Sequence, residues 1–191
     1  MGQCAESRLV AGSITGRRSG LPGQGPRQFK TRQNWHMAEI SNVRIRQASL
    51  ADAEPAAGVW LDSRRAAYPA IPKCIHTESA IRSWFSEVLM AQSEVWVAEQ
   101  GRLIVAVMAL DDGWIDQLYV APSQSRHGLG SRLVATAKER APGGLQLWTF
   151  ESNLAARRFY ERHQFVPVER TDGSRNEERS PDIRYEWQPR G

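Results

Sequence analysis

The chain of 191 residues is expected to fold as an α+β domain, a mixed, mostly antiparallel central sheet with helices on both faces. Two observations predict this. Three β-rich runs, EVWVAEQ, RLIVAVMAL and WIDQLYVAP, follow one another with only short turns at Gly101 and Asp112-Gly113 between them, which makes an antiparallel meander. Amphipathic stretches at helical spacing precede the meander and alternate with further strands after it, and their apolar faces need a sheet to cover.

The elements read in order as follows. NVRIRQA, from Asn42, alternates as a strand. Ser49 with Asp52 three residues on forms a capping pair, opening a helix from about Leu50 to Ala67 that carries Leu50, Ala53, Ala57 and Trp60/Leu61 at helical spacing. YPAIP ends it. Thr77 caps a second helix with Ile81, Trp84, Phe85, Val88 and Leu89 on one apolar face. After the meander, Gly128 to Ala141 is helical, with Leu129, Leu133, Val134 and Ala137 on one side. LQLWTFE is a strand, Asn153 to His163 a helix, and FVPVER and DIRYEW are closing strands. The order is β-α-α-β-β-β-α-β-α-β-β, without internal repeats.

Composition narrows the function. Hydrophobic residues at 41% and charged residues at 24% are ordinary values, and the longest apolar run, Leu103 to Leu110, is too short to span a bilayer; no membrane partner is expected. The formal charge of +4 is not spread evenly. Residues 1–36 hold Arg8, Arg17, Arg18, Arg27, Lys30 and Arg32 against Glu6 alone, which leaves residues 37–191 nearly neutral and gives them no overall bias towards phosphate backbones. Nucleic acid is therefore not an expected partner. Residues 1–36, rich in glycine and without periodicity, read as a disordered or non-native N-terminal extension, and residues 37–191 as the domain, with Met37 immediately before the first regular segment. Arg17-Arg18 is followed by LPGQGPRQF rather than an apolar stretch, which argues against twin-arginine export. Glycine and proline would likewise break the amphipathic helix of a mitochondrial presequence. Two cysteines, Cys4 and Cys74, make no disulfide framework, and a cytoplasmic location is expected. Cys74 and His76 would be half of a metal site, but no second Cys/His pair follows; no metal is expected.

The most informative segment is LYVAPSQSRHGLGSRLV. A strand runs through a proline-containing loop into Gly-Leu-Gly at a helix start, where free N–H groups and the helix dipole favour an anion such as a pyrophosphate. Arg126 and His127 add positive charge. No Gly-Lys-Ser/Thr follows, so it is not a P-loop, and Leu133 stands where a dinucleotide fingerprint needs its third glycine. The glycines by themselves fit a helix start that binds nothing equally well.

This segment resembles the acyl-CoA-binding motif of the GNAT family, a Gln or Arg, two variable residues, Gly, a variable residue, and Gly or Ala, after a strand ending in a Val-x-Pro-like turn. Val120, Pro122, Gly128 and Gly130 match, whereas Ser125 stands at the Gln/Arg place and leaves Gln124 or Arg126 to supply that contact. ESNLAARRFYERHQF is a second signal. Asn153 and Tyr160, seven residues apart, share one helix face with the small Ala156 between them, while Phe159 and Ala155 are expected to pack inward. The family is similar here too, with an Asn opening this helix, then Ala, Phe-Tyr-Glu and a Gly-Phe pair, of which Gln164 replaces the Gly.

The resemblance runs from about Val43 to Trp187 and implies the GNAT acyl-CoA N-acyltransferase fold with acetyl-CoA as acyl donor. The phosphates would meet Ser125, Arg126, His127, Gly128, Leu129, Gly130 and Ser131. Leu118, Tyr119 and Val120 would pair their backbone with the pantetheine amides like an added strand. It further implies that Asn153 bonds the pantetheine arm and that Tyr160 protonates the departing thiolate, as a phenol with a pKa of about 10 can at neutral pH. Asp116 is the first candidate for the base, and also reads as a solvent-facing residue on an alternating strand; Glu151 is the next. The acceptor would be a primary amine of a small molecule or peptide, attacking directly, with Asp62 to Ser79 and Thr171 to Pro181 setting its specificity, and the enzyme a monomer or homodimer. The rival reading is a catalytically silent acyl-CoA-binding regulatory module.

Overall fold

The computed structural model describes residues 43–189; the readings for residues 1–36, with Cys4 and the boundary at Met37, lie outside them. β1 (Val43–Gln47) leads through one 3-10 turn, Leu50–Asp52, into α1 (Ala53–Ala67). Asp52 fixes this start. Its carboxylate accepts the Ser49 backbone N–H at 2.7 Å and the Ser49 hydroxyl at 2.9 Å, and Arg46 of β1 donates to both of its oxygens at 2.8 Å. The cap is thereby tied to the edge of the sheet.

The second helical stretch, α2, begins at Glu78–Trp84 with the Thr77 hydroxyl accepting the Ala80 N–H. It widens into a π-helical turn at Phe85–Leu89 and finishes at Met90–Gln92. The wider turn aligns residues four apart, so Ile81, Phe85 and Leu89 are buried, whereas Trp84 and Val88, expected on the same face, are only half-buried.

The meander consists of β2 (Glu94–Gln100), β3 (Leu103–Asp111) and β4 (Trp114–Val120). Then come α3 (Leu129–Arg140), β5 (Leu145–Phe150), α4 (Leu154–Arg162), β6 (Val166–Thr171) and β7 (Asp182–Trp187). They form one sheet in the order β1-β2-β3-β4-β5-β7-β6. Every pairing is antiparallel except β4 with β5, so the sheet is mixed and mostly antiparallel. Its one parallel pairing is also its weakest, a single bridge at Trp114↔Gln146. Beyond that bridge the two strands part.

Side-chain alternation gives the sheet two apolar faces. Tyr119 packs with Val97 and Val107 beneath α1 and α2, joined by Trp60 and Phe85. Leu118, Val120, Leu145 and Leu147 meet Leu129, Leu133, Phe159 and Tyr160 of α3 and α4. No helix among the described residues is long and apolar enough to cross a membrane.

Candidate active site

The glycine-led loop begins where β4 ends. After one 3-10 turn at Pro122–Gln124, the backbone takes left-handed conformations at Arg126 (φ 67°) and Gly128 (φ 81°). The first bond of α3 runs from the Arg132 N–H to the Gly128 carbonyl at 3.1 Å. The N–H groups of Leu129, Gly130 and Ser131 thus precede the helical ladder and are left to face a ligand. They border a cleft of about 420 Å³.

One wall of this cleft is Val120, Gln124, Ser125, Arg126 and the first turn of α3; the other is Ala155, Arg158, Phe159 and Arg162 of α4. Ala155, expected to pack inward, is half-buried and lines the opening, because the inward face of α4 is taken by Ala156, Phe159 and Tyr160. Gln124 donates to Gln100 Oε1 at 2.9 Å, so of the two side chains considered for the Ser125 position Arg126 is the one not anchored in that way. Ser131 meets His163 Nε2 at 2.9 Å. Three arginines on two walls make the cleft a site for a polyanion.

Arg158 and Arg162 escaped the sequence reading. Their spacing of one helical turn in RRFYER was a usable signal, since it sets both on one exposed side of α4.

Around the end of β5 and the start of α4, the interior holds polar atoms without partners. Asn153 is 2% exposed; its Oδ1 caps α4 by accepting the Ala156 N–H at 3.1 Å, while its Nδ2 is buried and unbonded. Thr149 of β5, another residue the sequence did not single out, is fully buried with an unbonded hydroxyl. An orphaned donor of this kind costs about 1–3 kcal/mol, so a ligand amide reaching it would gain by satisfying it. Tyr160 is buried on the same side. Burial, and then the neighbouring Tyr119, push its phenol well above the ordinary value. The acyl-CoA fit suggested by the sequence is therefore chemically consistent, with cations for phosphates and an orphaned amide for an amide-bearing arm.

The remaining residues divide. Leu118 and Tyr119 are fully buried in β4, and the Val120 carbonyl already accepts the Ser63 hydroxyl at 2.8 Å. Asp116 is the extra residue of a β-bulge, since its neighbours Ile115 and Gln117 pair with the adjacent Leu110 and Ala109; it is half-buried. Glu151 stands at the end of β5 with its carboxylate on Arg170 at 3.1 Å. Neither acid, nor His127, borders the cleft. Cys74 packs half-buried against the core under α1 and α2, and His76 meets Glu177 at 2.7 Å.

Comparison with known proteins agrees with this geometry. Residues 91–167 match the model of the acetyltransferase (GNAT) domain. The chain is 30% identical over 140 residues to the "Probable N-acetyltransferase" of Mycobacterium tuberculosis, covering 65% of this chain and 80% of that one. It is 27% identical over 126 residues to the peptidyl-lysine N-acetyltransferase YiaC of Escherichia coli, covering 65% and 84%. Among solved structures, the PaiA N-acetyltransferase of Thermoplasma acidophilum in complex with coenzyme A superposes with a TM-score of 0.58 at 21% identity, over 77% of this chain and 99% of that one.

Proposed function

Because the chain belongs to the GNAT N-acetyltransferase family and is an acyl-CoA-dependent acetyltransferase, we propose that it moves an acetyl group from acetyl-CoA directly onto a primary amine of a small molecule or peptide. The observation that carries this reading is the parting of β4 and β5 after Trp114↔Gln146, together with an arginine-rich cleft between the end of β4, α3 and α4 and the buried, unbonded Asn153 Nδ2 and Thr149 hydroxyl. We assign the activity to residues 37–191.

When bound, acetyl-CoA supplies the activated acyl thioester. The N–H groups at the start of α3, with Arg126, Arg158 and Arg162, hold its phosphates. Asn153 donates from Nδ2 to the pantetheine arm, and the Thr149 hydroxyl adds a second polar contact. The acceptor nitrogen, once neutral, forms the new C–N bond as the C–S bond breaks. Tyr160 gives its phenolic proton to the departing sulfur. The burial that raises this phenol also raises a thiolate formed beside it, so the transfer remains matched. Asp116, at the bulge, takes the proton released by the amine through solvent. Glu151, whose carboxylate meets Arg170, is the second candidate for this role.

Replacing Tyr160 with Phe tests the chemistry. Thiol release should fall about 100-fold or more while acetyl-CoA affinity stays within about twofold; unchanged turnover would remove Tyr160 from the role of acid.

A further inference from the structure

The reaction above leaves one buried charge unused. Arg64 lies on the inward face of α1 with Ala57, Trp60, Leu61 and Ala67, all buried. Its guanidinium carbon is 4.9 Å from the Trp60 ring centroid and 5.9 Å from that of Phe150. Nη2 donates to Glu178 at 2.7 Å and to the Pro72 carbonyl at 3.2 Å. In this ion pair the side chains are only 3% and 4% exposed. The Tyr119 hydroxyl is a further hydrogen-bond partner of the guanidinium, and Nε and Nη1 are the buried atoms left without one. Burial pushes the guanidinium down, but Tyr119 and Glu178 beside it more than offset that, so it stays charged.

Its position gives these N–H groups a meaning. Tyr119 is the penultimate residue of β4 and Phe150 the last of β5, so Arg64 stands across the ends of the two strands that part. It does so on the α1 face, opposite the α4 face that carries Asn153 and Tyr160. The partner carboxylate is also held firmly. In the loop between β6 and β7, Asn176 donates to the Ser180 carbonyl at 2.7 Å and to Asp182 at 2.9 Å. Gly173 (φ 80°) lies so close that a Cβ there would be 2.3 Å from the Ser180 backbone.

Resting on the acetyltransferase reading, we propose that Arg64 recognises the acceptor: its Nε and Nη1 donate to the amide carbonyl oxygen next to the attacking amine. The acceptors are then peptide N-termini and amino-acid amides. Two considerations fix this class. The strand ends that bound the gap also bound the guanidinium, so an oxygen reaching Arg64 while the amine reaches the thioester lies within a few bonds of that amine. Glu178 already neutralises Arg64, so a carboxylate would bring an uncompensated charge into a dry site, whereas a neutral carbonyl would not.

The test is thiol release from acetyl-CoA by the full chain, with rates expressed per free amine. The substrates are alanine amide, isopropylamine, alanine, and an N-terminally blocked peptide offering only a lysine ε-amine. Alanine amide should exceed isopropylamine in kcat/KM by about 100-fold or more, and should also exceed alanine and the ε-amine. The charge-neutral double variant Arg64→Met/Glu178→Met should bring the first ratio near one without changing acetyl-CoA affinity by calorimetry. Glu178→Gln, which leaves Arg64 uncompensated, should move preference from alanine amide towards alanine. Equal use of alanine amide and isopropylamine, preference for the ε-amine, no turnover of any amine by protein that binds acetyl-CoA, or a ratio surviving in the double variant would overturn the proposal. Failure to bind acetyl-CoA at all would instead strike the acetyltransferase reading, and this proposal with it.

Discussion

Tyr160 keeps its proton because it is buried among Phe159, Phe165 and Tyr185, where a phenolate would be poorly solvated. Gly128 answers a backbone need instead. At φ 81°, with nothing within 4 Å of the point where a Cβ would stand, its constraint is conformational and not steric. Gly128→Ala should therefore cost about 1 kcal/mol of stability and, by shifting the loop N–H groups, weaken acetyl-CoA binding about tenfold; thermal unfolding and calorimetry on one sample would separate the two effects. Residues at this scale were legible where spacing alone placed them. Asn153, Ala156 and Tyr160 fall on one buried face because a helix allows nothing else at that register. Arg64, Thr149, Arg158 and Arg162 were not read, the first two because a polar residue on an apolar face acquires meaning only from what stands opposite it.

At the scale of elements, the end of α4 shows how a departure from the family pattern is absorbed. The Phe165 N–H reaches the Tyr160 carbonyl and the Gln164 N–H the Glu161 carbonyl, with Phe165 packed on Tyr160 at 5.7 Å between ring centroids. This is a Schellman ending, and it holds Gln164 at φ 66°. Gln164→Gly should stabilise the protein by about 1 kcal/mol, raising Tm by about 2–4 °C; a lowered Tm would mean that the Gln164 side chain contributes more than its backbone loses. The start of α1 carries a pH dependence. Hydrogen bonds from Arg46, opposed by burial and aided by Ser49, hold the Asp52 carboxyl well below the ordinary range. A depressed carboxylate stabilises the fold above its unfolded pKa of about 3.9, and that contribution is lost as pH falls through and below it. Asp52→Asn should lower stability at pH 7 and flatten the acid limb of a stability profile between about pH 4 and 2, measured by urea unfolding. Both caps of α1 and α2 were visible as side-chain patterns. The π-helical turn in α2 was not, since it arises from packing against α1 and the sheet and leaves no signature of its own in the residue types.

For the whole molecule, the order of elements and the meander followed from period and turn chemistry. The decisive feature did not. That β4 and β5 lie side by side, touch once at Trp114↔Gln146 and then separate is a relation between strands distant in sequence, and neither period nor turn chemistry shows it. The same holds for the contact of α1 with the β6–β7 loop through Arg64 and Glu178, residues 114 positions apart. The parted strands, the cleft at the start of α3 and the arginines on its two walls are what an acyl-CoA site requires. The most direct measurement is calorimetric titration of the full chain with acetyl-CoA, with ATP and desulfo-CoA as comparisons. The account predicts one acetyl-CoA bound per chain, at least about tenfold more tightly than ATP, and weakened when Arg158 and Arg162 are replaced by Gln. A folded protein that binds no acetyl-CoA, or that binds ATP equally well, would contradict it.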